Sequence, residues 1–205
     1  MAITTDRAVE LLAGSPRLQE IVDRAAELFD RDGYHRVSMD EIAAAVGLRK
    51  PSLYHYVRGK EQILTLIHHQ FMDLVIRRQE AREKLRMSSS QRLLEVMADI
   101  LELMETHRGH VRVFFEHYRE LPGEEQSLVR QERDRYEASV ERVIEDGIRS
   151  GEFRDLDVRL TTLGLFGMCN WAYQWYRRGG PLRPREIGYQ FWETFLHGIE
   201  KEQDS

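Results

Sequence analysis

Apolar residues recur at spacings of three and four along nearly the whole chain, which is the pattern of helices with one buried face. The clearest case lies between residues 17 and 33, where Ser15-Pro16 is a start signal and Gly33 a stop signal. The apolar positions of this helix are Leu18, Ile21, Val22, Ala25, Leu28 and Phe29. No stretch alternates apolar and polar residues as a half-buried strand would. The pattern therefore predicts an all-α protein.

Breaks in the repeat divide the rest of the chain. The segment Ser38-Met39-Asp40-Glu41 has the form of a capping box and begins a short helix that Gly47 stops. A second short helix is predicted at about 50–56, followed by a long one from 60 to about 86. The remaining helices are predicted at roughly 89–105, 108–120, 124–150, 156–177 and 184–201.

This order of elements predicts two domains. Residues 1–60 form a three-helix N-terminal unit, and residues 61–205 form a larger helical body that begins with the long helix. The chain contains one cysteine, so it can form no internal disulfide, and it has no run of 18 apolar residues. Neither a membrane span nor a signal peptide is expected, and the expected location is the cytoplasm.

Charge is distributed unevenly along the chain. The formal net charge is -5, yet residues 47–60 contain four basic residues and no acidic one. Such a patch favours a polyanion, because binding releases the condensed counterions of the polyanion. A solvated surface with this charge by chance is the alternative for the patch taken alone.

The patch coincides with a helix-turn-helix pattern. A short helix at Ser38–Val46, a turn at Gly47-Leu48-Arg49 and a second short helix at Lys50–Tyr56 have the lengths of this DNA-binding motif. Helical spacing predicts that Leu53, Tyr56 and Val57 pack inward. The outward face would then consist of Lys50, Pro51, Ser52, Tyr54 and His55.

Residues 17–66 resemble the tetracycline-repressor (TetR) family of bacterial regulators. The resemblance is carried by Phe29, Gly33, Ile42-Ala43, Gly47, Leu53-Tyr54, Tyr56 and Lys60-Glu61 at matching spacing. Two positions depart from the family pattern. Arg49 stands where serine or threonine is common, and Val57 replaces a common phenylalanine. The first departure bears on which bases are read.

The resemblance implies a set of DNA-binding residues. Tyr54 and Lys60 would contact phosphates, and Ser38, His55 and Tyr56 are lesser candidates for the same role. For Tyr56 a core position of the ring remains an alternative. The residues that would approach base edges are Arg49, Lys50, Pro51 and Ser52, and arginine suits guanine because its two donors match O6 and N7.

The C-terminal third resembles a subgroup of this family that controls fatty-acid, sterol or aromatic-acid breakdown and releases DNA on binding an acyl-coenzyme A. The resemblance rests on Asn170-Trp171, Trp175-Tyr176 and Gly179-Gly180-Pro181, and "VFFEHYRELP" at 113–122, earlier in the chain, looks similar too. It implies a small-molecule pocket, for which the candidate residues are Phe114, Phe115, Tyr118, Asn170, Trp171 and Trp175. Core or dimer packing of the aromatic residues is the alternative.

The resemblance also implies a homodimer with double-stranded, pseudo-palindromic operator DNA as its partner and without a cofactor. Apolar stripes on the last two helices support a dimer. They are Leu160, Leu163, Gly167 and Trp171 on one helix, and Ile187, Phe191, Phe195 and Ile199 on the other. The predicted function is a ligand-controlled transcription repressor rather than an enzyme.

Two alternative functions remain: a small all-helical enzyme, for which we find no catalytic constellation, and a helical adaptor without DNA binding. His107, His110 and His117 share one helical face and raise the question of a metal site. No cysteine joins them, so no metal site is predicted.

Overall fold

The computed structural model describes residues 4–199, and this part of the chain is helical without a strand. The helices are α1 Thr5–Ala13, α2 Pro16–Asp32, α3 Met39–Ala45, α4 Lys50–Leu53, α5 Lys60–Glu83, α6 Ser89–Thr106, α7 Arg108–Glu116, α8 Gly123–Ser150, α9 Val158–Asn170, α10 Ala172–Trp175 and α11 Pro184–Ile199. A short 3-10 turn follows α7 at Tyr118–Glu120. The all-α prediction is confirmed. The predicted end of the last helix, at 201, lies outside the described residues.

The starts of α2 and α3 follow the signals in the sequence. Ser15 and Ser38 are the N-caps, and each side chain accepts a hydrogen bond from the backbone three residues on. At α3 the Glu41 carboxylate also accepts from the Ser38 amide, 2.7 Å away, so the capping box is complete. Gly33, with φ of 87°, ends α2 in a conformation that a side chain would strain.

Three parts of the chain differ from the sequence prediction. α1 was not anticipated, although Thr4 caps it and Ala8 and Leu12 are buried. α4 is shorter than predicted, because after Leu53 the chain continues as turns through Tyr56. The segment predicted as one helix at 156–177 is divided at Trp171 into α9 and α10.

The contacts gather into two compact units. Unit 1 contains residues 4–74 and 107–133, and unit 2 contains residues 75–106 and 134–199. The domain boundary between residues 60 and 61 stays a prediction. None of the helices in residues 4–199 is long and apolar enough to cross a membrane.

In unit 1, α7 packs closely on α2. A Cβ added at Gly109 would lie 2.7 Å from the Ala26 carbonyl oxygen, so only glycine allows this approach. Beside this contact the Arg112 guanidinium lies 3.0 Å from the Asp30 carboxylate, and Arg108 lies 3.3 Å from it. Helix α7 is therefore joined to the first helix of the α2–α4 bundle by backbone contact and by ion pairs.

In unit 2, α11 packs on α6. Gly188 permits the approach, since an added Cβ would be 3.1 Å from the Ala98 Cα atom. The Trp192 indole donates to the Ser90 carbonyl at 2.8 Å, and Ile187 and Ile199 are buried. Part of the apolar stripe on α11 is thus covered within the unit.

Candidate DNA interface and effector pocket

Helices α3 and α4 form the expected helix-turn-helix. Leu53 and Val57 are buried, as are Ile42 and Val46 on α3 and its C-cap. Gly47 has φ of 66° and provides the left-handed turn between the two helices. The first residue of α4, Lys50, therefore follows a turn whose geometry depends on glycine.

The outward face of α4 carries most of the predicted DNA-binding residues. Arg49, Lys50, Pro51 and His55 are exposed, and the Tyr54 ring is 47% exposed. Ser52 is half-buried. The inward packing predicted for Tyr56 is wrong, because its side chain is 40% exposed and the inward positions are taken by Leu53 and Val57.

Three of the predicted residues already have protein partners. Lys50 Nζ lies 2.8 Å from Asp40 Oδ2 on α3, and this pairing raises the pKa of Lys50. Lys60 Nζ donates to the Tyr34 carbonyl at 2.8 Å and the Val37 carbonyl at 3.0 Å. Ser38 is held by the capping box. The DNA roles of all nine residues stay predictions.

The aromatic residues near the end of α7 line a pocket in unit 1. It has a volume of about 330 Å³ and is bounded by Phe114, Phe115, Glu116, Tyr118, Arg119 and Arg133. The Phe114 ring centroid lies 5.3 Å from that of Phe115 and 4.4 Å from that of Phe71. The Tyr118 hydroxyl donates to the Gln126 carbonyl at 2.8 Å, which holds the ring in place. Three of the six predicted ligand residues therefore share one pocket.

Arg133 of α8 belongs to this pocket and was not anticipated. Its guanidinium carbon is 5.6 Å from the ring centroids of both Phe114 and Tyr118, a distance typical of cation–π contacts. The sequence signal was weak, because Arg133 lies in a long run of charged residues on α8. The pocket thus combines aromatic rings with cations.

Two adjacent histidines lie beneath this region, on α5. His68 is fully buried and lies 5.4 Å from the Phe114 ring, and burial lowers the pKa of its imidazole to about 4. Burial also lowers the pKa of His69, but hydrogen bonds to Glu132 and Glu125 and their charges outweigh burial and raise it overall. The pKa values of the two adjacent rings are therefore shifted in opposite directions.

The other three predicted ligand residues lie in unit 2. Trp171 is 64% exposed, Trp175 is 43% exposed, and Asn170 is half-buried at the end of α9. Trp175 borders a groove of about 730 Å³ that α11 lines with Ile187, Tyr189 and Phe191, among others. Their assignment to an effector pocket stays a prediction.

The three histidines singled out in the sequence are only partly brought together. The rings of His107 and His110 lie 5.8 Å apart, whereas His117 packs 5.6 Å from Tyr34 and pairs with Glu120. Within residues 4–199 no group of three or more histidine, cysteine or acidic side chains is arranged to hold a metal ion.

Comparison with protein families gives two matches. Residues 21–67 match the model "Bacterial regulatory proteins, tetR family", and residues 86–199 match "Tetracyclin repressor-like, C-terminal domain". The chain belongs to the TetR family. The family prediction made from residues 17–66 is confirmed, and the helix-turn-helix of α3 and α4 lies within the N-terminal match.

Similar proteins agree with this assignment. The transcriptional repressor KstR2 of Mycobacterium tuberculosis is 27% identical over 91% of this chain and 94% of that protein. Its structure, described as that of a ketosteroid transcriptional regulator, superimposes with a TM-score of 0.84 over 92% of this chain and 96% of that one. The fatty acid metabolism regulator of Bacillus subtilis is 27% identical over 74% of this chain and 79% of that protein.

A further solved structure contains both an acyl-coenzyme A and operator DNA. The regulator AibR, in complex with isovaleryl coenzyme A and operator DNA, is 27% identical and has a TM-score of 0.78 over 87% of this chain and 97% of that one. The named relatives of this TetR-family chain are thus transcriptional regulators.

Proposed function

We propose that this TetR-family protein is a repressor that binds a pseudo-palindromic operator as a homodimer and releases it on binding an acyl-coenzyme A. The observation that carries the proposed DNA binding is the exposed surface at α4, where Arg49 is the N-cap residue, Lys50 the first residue and Tyr54 the C-cap residue. The Arg49 side chain is exposed, and its guanidinium carries the two donors that match O6 and N7 of guanine.

The exposed face of α9 supports a homodimer. Leu160 is 67% exposed, Leu163 is 44% exposed and Trp171 is 64% exposed, at spacings that place them on one side of the helix. Gly164 and Gly167 on the same side have no atom within 4 Å of an added Cβ. A bare apolar face with glycines suits close contact with a second copy of the chain, as in a symmetric dimer.

The pocket of unit 1 supports control by a small molecule. Its rings offer apolar contact to an acyl chain, and Arg119 and Arg133 offer charge to phosphates. The AibR complex with isovaleryl coenzyme A supports this ligand class.

The packing of α7 on α2 connects the pocket mechanically to the helix-turn-helix. Phe114 and Phe115 are carried by the same helix whose Gly109 contacts Ala26 of α2. A ligand that displaced α7 would move α2, and α2 supports the helices that read DNA. The ligand shifts the protein toward the state that does not bind DNA only to the extent that the ligand binds this state more tightly than the other.

The test begins by selecting an operator from a pool of random duplexes with the purified protein. Fluorescence anisotropy then measures operator affinity with and without acetyl-, isovaleryl-, octanoyl- and palmitoyl-coenzyme A. Arg49→Ala should weaken the selected site by about 1–3 kcal/mol more than random DNA, whereas Arg149→Ala, an exposed arginine of α8, should change neither. If no thioester shifts operator binding, the effector class is wrong. If no sequence is enriched, the repressor proposal is wrong.

A further inference from the structure

Gln79 of α5 occupies a position that the helix pattern reserves for an apolar residue. Met72 and Val75, at seven and four residues before it, are 2% and 3% exposed, and Gln79 is 2% exposed. A leucine or methionine of similar volume would complete this buried stripe. The chain instead buries a carboxamide at this point of unit 2.

Both polar atoms of this amide lack a hydrogen-bond partner among the described residues. Most buried polar side-chain atoms in proteins have such a partner, and leaving one without costs roughly 1–3 kcal/mol. An amide whose acceptor and donor both lack a partner among residues 4–199 is favourably placed to bind a ligand or water.

Gln79 also lines a pocket of about 140 Å³ between α5 and α8. Tyr136 and Ser139 of α8 belong to the same lining, and the Ser139 hydroxyl already donates to the Tyr136 carbonyl at 2.6 Å. The volume corresponds to roughly four to five water-sized groups. The pocket thus has room for a small functional group, and Gln79 is part of its lining.

The charges at the rim of this pocket are matched in pairs. Arg135 lies 2.6 Å from Glu80, and Arg142 lies 3.7 Å from Glu83. Two cations beside two carboxylates give no net attraction for an anion or a cation. The pocket therefore favours an uncharged group.

Hydrogen-bond complementarity narrows the chemistry further. Gln79 offers one acceptor oxygen and one NH₂ donor side by side. A carboxylate has no donor for the oxygen, and an ammonium has no acceptor for the NH₂ group. A neutral carboxamide with an N–H satisfies both atoms at once.

We propose that the pocket bounded by Gln79, Tyr136 and Ser139 is a binding site for a neutral carboxamide group of a small molecule. It is a different site from the pocket of Phe114 and Tyr118, and it does not depend on the acyl-coenzyme A proposal. Water molecules alone at Gln79 are the competing occupant.

Three small probes separate these possibilities. Acetamide has both a donor and an acceptor, N,N-dimethylacetamide has only an acceptor, and acetate is an anion. In the full-length protein labelled with ¹⁵N, each probe is titrated while the side-chain NH₂ signal of Gln79, assigned by its loss in Gln79→Leu, is followed. Acetamide should shift this signal with a Kd of roughly millimolar order, about 4 kcal/mol for four heavy atoms. The other two probes should bind at least tenfold more weakly.

Variants complete the test. Gln79→Leu should abolish saturable acetamide binding, whereas Gln131→Leu, an exposed glutamine of α8, should leave it unchanged. Thermal unfolding of each variant shows that it is folded. A crystal soaked in acetamide should show the probe within hydrogen-bond distance of both Gln79 atoms.

Three results would overturn the proposal. The first is equal binding of acetamide and N,N-dimethylacetamide, the second is acetamide binding that Gln79→Leu leaves intact, and the third is no saturable shift together with water alone beside Gln79 in the soaked crystal. None of these measurements involves acyl-coenzyme A, so a negative result would reject the carboxamide site without bearing on the proposed effector.

Discussion

Lys50 Nζ, at the start of α4, lies 2.8 Å from Asp40 Oδ2 of α3. The basic patch at residues 47–60 contains no acid in the sequence, yet the fold brings a carboxylate from the preceding helix to it. The pair is exposed, with 44% of the lysine side chain and 65% of the aspartate side chain accessible. A lysine held in this way contributes less to DNA binding than its charge alone indicates.

Asp40→Asn should therefore strengthen DNA binding. Removing one carboxylate beside phosphates frees Lys50, and we expect a gain of up to about 1 kcal/mol on specific and random DNA alike. Anisotropy titrations at several salt concentrations measure it. Asp32→Asn, which breaks the similar exposed pair with Arg31 at 2.6 Å, is the control. Unchanged or weaker binding by Asp40→Asn would show that Lys50 is not a DNA contact in this arrangement.

Lys60→Met should lower stability. The Lys60 ammonium donates to the Tyr34 and Val37 carbonyls and lies 4.6 Å over the Tyr34 ring, so the substitution leaves buried acceptors without their donor. We expect the free energy of unfolding to fall by about 2 kcal/mol. Urea unfolding followed by circular dichroism measures it, with Lys84→Met, an exposed lysine, as the control. Undiminished stability with uniformly weaker DNA binding would instead assign Lys60 to phosphates.

Gly109→Ala should destabilise the contact between α7 and α2. The added methyl group would meet the Ala26 backbone at 2.7 Å, and a backbone cannot yield as a flexible side chain does. We expect a loss of about 1–3 kcal/mol in the free energy of unfolding. Gly198→Ala in α11, where an added Cβ meets nothing within 4 Å, is the control. A neutral effect of Gly109→Ala would mean that the two helices separate easily.

The buried His68 should make stability depend on pH. Its pKa is about 4 in the folded protein because burial disfavours the imidazolium, whereas an unfolded histidine has a pKa of roughly 6.5. Between these values the unfolded chain binds the additional proton, so stability falls as the pH falls, by up to about 1.4 kcal/mol per pH unit from this residue. Urea unfolding between pH 7 and pH 5 measures the slope.

His68→Leu should reduce that slope without removing every contribution. The neighbouring His69 has a raised pKa and acts in the opposite direction: its stabilisation is present at low pH and is lost as the pH rises through its folded pKa. His197→Leu, an exposed histidine of α11, should leave the slope as in the wild type. An unchanged slope in His68→Leu would show that the ring is not neutral and buried in solution.

Leu160→Glu should dissociate the proposed dimer. A carboxylate placed on the apolar face of α9 would be buried in the proposed contact without a partner, so the monomer becomes the stable species at micromolar concentration. Sedimentation equilibrium measures this. The control is Leu85→Glu, since Leu85 is 59% exposed but lies outside the apolar face of α9. A monomeric wild type, or a dimeric Leu160→Glu, would contradict the proposed interface.

The local sequence determined the helices and most of their ends. Serine caps at Ser15 and Ser38 and glycines at Gly33 and Gly47 act within one turn of the chain, so their effects can be predicted without the rest of the fold. The TetR family could also be predicted from the sequence, because the residues that identify it lie in one continuous segment, 17–66.

The tertiary structure decided which side chains meet. Asp40 lies beside Lys50 across ten residues, Arg133 lies beside Phe114 across nineteen, and Gln79 lines one pocket with Tyr136 across fifty-seven. No periodic pattern encodes such pairs, since helical spacing specifies only which face of its own helix a residue occupies. Tyr56 shows the same limit: its spacing allowed an inward position, but packing filled that position with Leu53 and Val57.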